Sequence, residues 1–155
     1  MKPGQIRPIV ICLFRDGDRI LAAEFQDPSS GVQFYRPLGG AIHFGEHSRD
    51  CIVREIREEM GAEITDLTYV GTMENIFTYD GRPGHEIVLV YEAKLAEPRL
   101  YEMEAFRCQD DGGEFMAVWK PIAMFRAGKA PLYPEGILEL LERAKERPFG
   151  LQRGL

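Results

Sequence analysis

Between Leu38 and Ala62 the chain reads LGGAIHFGEHSRDCIVREIREEMGA, and three carboxylates in it, Glu55, Glu58 and Glu59, fall at spacings that a helix would gather into one stripe. At about 100° per residue, the apolar Ile52, Val53, Ile56 and Met60 fill one arc and the three Glu fill the arc beside it. Like charges three and four residues apart on a helix repel by roughly 0.2–0.5 kcal/mol per pair. Arg54 stands beside the stripe, but one guanidinium cannot neutralise three carboxylates, whereas a hard divalent cation can. Mg2+ takes oxygen donors octahedrally and keeps places for water and substrate phosphate, so the pattern suits a metal site for a phosphorylated substrate. The competing reading is a solvated helix face, because exposed Glu runs are common on helices.

The elements that must position these groups are a glycine-rich turn and the helix it feeds. Apolar periodicity predicts a helix from about His47 to Met60, and Gly61 follows where a left-handed terminating residue is wanted. Gly39, Gly40 and Gly45 allow the preceding turn to pass close to a ligand. With His47 at the usual capping position, Ser48 is expected to cap the helix by starting it one residue later. His43, in the same turn, either contacts phosphate or is an ordinary solvated loop histidine.

The whole pattern is Gly40, five residues, Glu46, seven residues, then Arg54-Glu55-Ile56, one residue, Glu58-Glu59, one residue, Gly61-Ala62. It resembles the Nudix box, G-x5-E-x7-R-E-U-x-E-E-x-G-U with U aliphatic, at every fixed position over 23 of the 155 residues. The resemblance implies a Mg2+-dependent pyrophosphohydrolase, with Mn2+ as a possible substitute, that cleaves a nucleoside diphosphate linked to another group. It implies an α+β fold, the α/β/α sandwich of that family, with a mixed β-sheet and helices on its faces. It implies metal ions on Glu55, Glu58 and Glu59 and on the main-chain carbonyl of Gly39, with Arg54 orienting Glu55. Glu46, Gly40 and Gly61 have supporting roles. Leu38, His43 and His47 depart from the commoner residues at their positions. Family members often add an acidic residue from a later loop or strand, for which Glu86, Glu102, Glu104, Asp111 and Glu114 are candidates and Glu114 is preferred. A Tyr 16 to 18 residues beyond the box hints at diadenosine polyphosphates in this family; Tyr79 lies 17 beyond Ala62, and is otherwise a strand aromatic.

At 155 residues, 45% hydrophobic and 28% charged, the chain is expected to form a single domain over 1–155. A net charge of −6 argues against nonspecific affinity for nucleic acid or anionic membranes, so the expected partner is a small nucleoside diphosphate derivative, with a homodimer left open. Cys12, Cys51 and Cys108 are odd in number and widely spaced, which suits a reducing cytoplasm better than a disulfide framework. No apolar run reaches the length of a signal-peptide core or a membrane span, and a cytoplasmic location is expected.

In chain order, Ile6–Arg15 and Arg19–Phe25 read as a hairpin around Asp16-Gly17-Asp18. Val32–Pro37 is extended and delivers Arg36 beside the carboxylate helix, where it is either a phosphate clamp or a core-edge Arg. Ile64–Tyr79 is one long bent strand or two short ones, and Asp80–Gly84 is a turn. Glu86–Leu95 is a central strand, apolar on both faces. Ala105–Gln109 and Glu114–Lys120 form a second hairpin whose Trp119 is either core or a base-stacking platform. Pro134–Arg147 is a last amphipathic helix, followed by a loose tail. Catalysis by such a chain would be positioning and electrostatics around a metal, with Glu55, Glu58 or a loop Glu as general base. A non-catalytic nucleotide-binding module is the rival, distinguished by lost box carboxylates, and none is lost. Glu55→Gln, Glu58→Gln and Glu59→Gln are each expected to lower turnover at least about a hundredfold. Steady-state rates on any accepted substrate check this, and three unaffected variants would remove the assignment.

Overall fold

The computed structural model describes residues 3–146, so the expected tail and the end of the last helix lie outside the described residues. The strands form two sheets. The first has the order β5 (Leu38–Ala41), β1 (Ile6–Leu13), β7 (Arg82–Leu95) and β6 (Ile64–Tyr79); β1 and β7 are parallel and the other pairs antiparallel. The second is antiparallel, with β2 (Arg15–Asp16), β3 (Arg19–Gln26), β9 (Gly113–Pro121) and β8 (Ala105–Asp110) in that order, and β4 (Gln33–Arg36) also pairing with β3. The helices are α1 (Ser48–Met60), α2 (Ile122–Arg126) and α3 (Ile137–Glu146), with a 3-10 turn at Pro98–Tyr101. Helix α1 packs on one side of strands from both sheets, and α2 and α3 pack on the other. This is the expected α+β class, with the strands divided into two sheets.

Period-two alternation explains the layering. Val10 and Cys12 of β1 and Leu21 and Ala23 of β3 point to one side, where they pack with Cys51, Ile52 and Ile56 of α1. Ile9, Ile11 and Leu13 of β1 and Ile20 and Ala22 of β3 point to the other, with Ile122, Phe125, Ile137 and Leu141 of α2 and α3. A strand covered on both faces must be apolar at nearly every position, and the runs IVICL and IVLVY are what β1 and β7 contribute.

Several expectations need correction. The first hairpin closes only Arg15-Asp16 against Arg19-Ile20, because β1 already has β5 on one edge and β7 on the other and has no edge left for β3. Residues 38–41 are not part of a turn but an edge strand on β1, leaving 42–47 to turn the chain. The turn after β6 is only Asp80-Gly81, both at positive φ (50° and 69°), which is the twist that a two-residue hairpin wants. Pro83 is tolerated inside β7 because β1 begins opposite His85, so the missing Pro83 N–H faces no partner strand. The last helix starts at Ile137 because Gly136 has φ 89°, outside helical space. The long β6 is a single strand with two register shifts, and α2, capped by Pro121, had no sequence-level reading.

Gly39 is the position where the strand pair cannot accept a side chain: a Cβ there would lie 1.9 Å from the Val10 carbonyl oxygen. Gly31 also has a positive φ but stands in open space. Gly39→Ala is therefore expected to lose more than about 2 kcal/mol of folding stability, against about 1 kcal/mol for Gly31→Ala, which bears only backbone strain. Chemical denaturation midpoints check the order; equal losses would show that β5 relaxes away from β1.

Candidate functional site

The carboxylate helix sits against the glycine strand, and the fit is made by absent side chains. A Cβ on Gly40 would lie 2.3 Å from the Glu55 carboxyl carbon, so the bare strand is what lets Glu55 lie on it. The helix ends as expected, with Gly61 at φ 66° donating its N–H to the Arg57 carbonyl at 2.9 Å. Its start differs. His47 is the N-cap residue without a side-chain cap, and Ser48, expected to cap, is hydrogen-bonded instead to the Tyr91 hydroxyl at 2.7 Å, because that hydroxyl reaches it across the core.

Arg54 organises the stripe. Its Nε and Nη2 grip both oxygens of Glu46 at 2.7 and 3.0 Å, while Nη1 reaches Glu55 at 3.0 Å and Glu58 at 3.1 Å. Such a bidentate pair is the strongest arrangement a guanidinium makes with a carboxylate. Glu46 is held down to about 2 by this grip and by the His43 backbone N–H at 3.0 Å, so it keeps its charge throughout the ordinary pH range. Glu46 thereby ties the turn to the helix. The His43 ring itself is exposed, its Nδ1 3.9 Å from Glu46. The pKa of Glu55 is raised by burial, partly offset by Arg54.

Glu59 escapes Arg54. It is buried at 8% exposure, its Oε2 has no hydrogen-bond partner, and its pKa is pushed up to about 8 by burial, then by Glu55 and Asp110, against smaller opposing effects of Arg36 and a hydrogen bond from the Gly39 backbone. A buried carboxylate oxygen without a donor is costly. The donor chemistry therefore fits a divalent ion: one uncompensated oxygen on Glu59, with Glu55 and Glu58 on the same stripe. As the side chains stand, however, no group of three His, Cys, Asp or Glu among the described residues converges to hold an ion, because Glu55 and Glu58 are turned onto Arg54.

A cleft of about 690 Å³ is lined by residues of β4, β6 and β7 and by none of α1, and it meets the carboxylate stripe through Arg36 and Asp110, which line it and act on Glu59. Its polar end carries Arg7, Arg36, Asn75 and Glu86. Glu86, on β7, is 1% exposed and shared by Arg7 at 3.4 Å, Arg36 at 3.5 Å and the Asn75 amide at 3.3 Å. Its aromatic end is centred on Phe34, whose ring is 5.7 Å from Phe25, 6.0 Å from Tyr79 and 5.8 Å from Tyr133. Arg36 and Phe34 alternate to the same face of β4, about 7 Å apart.

The structure thus brings together Gly39 and Gly40 on β5, Glu46 in the turn, Arg54, Glu55, Glu58 and Glu59 on α1 and Gly61 at its end, with Arg36 and Tyr79 lining the cleft. Glu114 stands apart. It lies opposite Gln109, and since its neighbour Phe115 and the cross-strand Cys108 pack on the α1 side, alternation turns Glu114 to the other face. Asp110, four residues earlier, lines the cleft and acts on Glu59; in the sequence it reads as part of a turn, whereas the strand continues through it. Arg7 and Asn75 had no sequence signal, since only strand pairing brings them to Glu86. Trp119 is core, its Nε1–H donating to the Leu100 carbonyl at 3.1 Å. All three cysteines are buried free thiols, and burial raises the pKa of each, Cys51 to about 12 and Cys108 to about 11, which favours the protonated form.

The family model for the NUDIX domain matches residues 5–141. The chain belongs to that family. Relatives include the NAD-capped RNA hydrolase NudC of Pseudomonas putida strain W619, 43% identical over 68 residues (44% of this chain, 24% of that protein). NudC of Pseudomonas fluorescens strain Pf-5 is 40% identical over 100 residues, 64% of this chain and 33% of that protein. The chain therefore spans about a quarter to a third of the length of these curated relatives. A NUDIX hydrolase from Nitrosomonas europaea shares the fold with TM-score 0.66 at 18% identity, over 92% of both chains. The ORF135 protein of E. coli does so with TM-score 0.57 at 24% identity, over 94% of this chain and 96% of that one. No helix among the described residues is long and apolar enough to cross a membrane.

Glu59 provides a stability test of this NUDIX site. In the folded metal-free chain it keeps its proton to about pH 8, whereas the unfolded chain gives it up near the ordinary 4.5. The folded state thus binds more protons across that window, and Glu59 makes stability fall as pH rises through it, by at most ~1.4 kcal/mol per pH unit. Metal-free melting temperatures followed from pH 5 to pH 8 should decline more steeply for the wild type than for Glu59→Gln. Parallel profiles would mean that Glu59 finds a donor.

Proposed function

We propose that this chain is a divalent-metal-dependent pyrophosphohydrolase, one domain over 1–155, that cleaves the diphosphate of a nucleoside diphosphate linked to another group. The observation that carries the reading is the unpartnered buried Glu59 oxygen on a stripe with Glu55 and Glu58, within the influence of Arg36 and Asp110 of the cleft. Glu55, Glu58 and Glu59 would hold the ion, Mg2+ by the hardness of its oxygen donors or Mn2+ in its place, with the Gly39 carbonyl as a further ligand. Such an ion, when bound, neutralises diphosphate charge and lowers the pKa of water.

The protein's own contributions follow from the geometry. Arg54 and Glu46 fix the helix to the turn, and Arg54 restrains Glu55 and Glu58 until they are drawn away. Arg36, next to Glu59 and leaning on Glu86, meets a phosphate oxygen. About 7 Å along β4, Phe34 takes the ring at the far end of the attached ribose, a separation that a sugar spans. Glu55, whose pKa is raised by burial, is placed to accept a proton from the attacking water. Glu114, turned away from α1, is the weakest of the proposed metal donors, and Asp110 takes precedence over it.

The Pseudomonas relatives are NAD-capped RNA hydrolases, and that similarity supports an NAD-type diphosphate as the first substrate class to test. Their RNA is a nucleic acid, so the acidic charge of this chain weighs against nonspecific binding only. Diadenosine polyphosphates are kept as a second class because Tyr79 lines the cleft against Phe34. The deciding experiment incubates the chain with Mg2+ and NAD, diadenosine tetraphosphate, ADP-ribose and an NAD-capped oligonucleotide, and weighs the products. Cleavage of at least one at the diphosphate, lost at least about a hundredfold in Glu59→Gln and on chelation, is expected. A chain that binds these compounds but releases unaltered material is a binding module.

A further inference from the structure

Of the carboxylates that line the cleft among the described residues, Glu86 alone is buried, and the first sheet builds its surroundings row by row. Cross-strand partners share a face, so Arg7 of β1, Glu86 of β7 and Asn75 of β6 form one row across three strands. The row inward, Ile9, Val88 and Met73, belongs to the apolar core. The row outward lays the Phe77 ring over Gly84, where a Cβ would lie 2.3 Å from it. Glu86 is closed in on both sides, and a carboxylate held out of water must be paired. Its Oε1 accepts from Arg7 Nη2 at 3.4 Å and its Oε2 from the Asn75 amide at 3.3 Å, while Nη2 of Arg36, brought from the second sheet by β4, stands 3.5 Å from Oε2.

These are weak engagements for guanidiniums. Arg54 shows a committed pair in the same chain, with two nitrogens on Glu46 at 2.7 and 3.0 Å, whereas Arg7 and Arg36 each approach Glu86 with one nitrogen at longer range and keep most of their N–H donors uncommitted to it. The Nε of Arg7 is buried and has no acceptor. Arg7 and Arg36 are also the only arginine or lysine side chains among the described residues that line the cleft. One buried carboxylate thus sets two guanidiniums side by side at the place in an acidic cleft where an anion is attracted. We propose that Glu86 is a positioning residue that holds Arg7 beside Arg36, so that the two guanidiniums take the two phosphates of the diphosphate. Arg36, which acts on Glu59, takes the phosphate nearer the carboxylate stripe, and Arg7 takes the other through donors that include Nε. This deepens the proposed activity, on which it rests, by assigning a substrate contact to Arg7 and, acting through it, a role to Glu86.

The test separates position from charge, because the two predict opposite signs. Binding of methylenediphosphonate, which has no phosphoanhydride to cleave, is measured by titration calorimetry on the full-length chain with Mg2+. Glu86→Gln removes a negative charge from beside the site, so charge alone would tighten the anion; loss of the positioning carboxylate is expected instead to weaken it at least about fivefold. Arg7→Met should weaken it to a similar extent while leaving methylphosphonate, with its single phosphonate, within about twofold of the wild type. Asn75→Leu removes the amide that fixes Glu86 without altering any charge, and should weaken the diphosphonate about threefold. On a substrate accepted in the panel, all three variants should raise KM and keep kcat within about threefold. Should Glu86→Gln not fold, Arg7→Met and Asn75→Leu carry the test. Unchanged or tighter diphosphonate binding in any of the three, equal loss of both phosphonates in Arg7→Met, or no binding of diphosphonate by the wild type overturns the proposal. Failure of the substrate panel with these losses present leaves a diphosphate-binding cleft without the hydrolase; hydrolysis with all three variants unaffected leaves a hydrolase that holds its diphosphate elsewhere.

Discussion

The packing of a carboxylate-bearing helix directly onto a strand that has no side chains is the constraint on which the rest of this structure depends. Gly39 is squeezed against the Val10 carbonyl and Gly40 against the Glu55 carboxyl, so β5 is thin enough for α1 to approach and for an acidic side chain to occupy the gap. A larger residue at Gly40 would move the helix outward, and with it every carboxylate on the stripe, whereas one at Gly39 would push β5 off β1. The two glycines therefore work by close approach at both positions, and their role is in the strand more than in the turn that follows it.

Bringing acids this close to a backbone creates an electrostatic problem that the chain solves only in part. Arg54 grips Glu46 with two nitrogens and reaches Glu55 and Glu58 with the third, giving one guanidinium three carboxylates to serve. Glu59, on the buried side of the same helix, is left with an oxygen that nothing satisfies. A partly satisfied polar group in a folded interior is a place where a ligand is wanted. The same arrangement explains why the acids do not converge as they stand: without a competing cation, Arg54 is the best partner Glu55 and Glu58 have. Moving them toward Glu59 requires that something offset the loss of those pairs.

The cleft continues the same division of labour along β4. Arg36 and Phe34, two residues apart, put a positive charge near Glu59 and an aromatic face farther out, and the strand's own rise sets the distance between them. Opposite them, β7 and β6 contribute Glu86 and Asn75 by cross-strand pairing. Glu86 is buried and holds two guanidiniums at long distances, so it orients these side chains without fully neutralising the acidic cleft around them.

The helix, its glycine terminator, the apolar face of α1, the two-faced burial of β7 and the identity of the box residues were all legible in the sequence, because each rests on local periodicity or on a spacing that a regular element converts directly into geometry. Three things depended on tertiary structure, for one reason: strand partners are chosen by competition for edges, which no local pattern records. The first hairpin was cut short because β5 and β7 had claimed both edges of β1; Arg7 and Asn75 met at Glu86 only through parallel and antiparallel registers spanning distant segments. Alternation in the second hairpin then turned Glu114 away from the helix and set Asp110 beside Glu59. Composition determined that acids outnumber bases in this chain; only the fold decided which acids would be left facing a cleft without a partner.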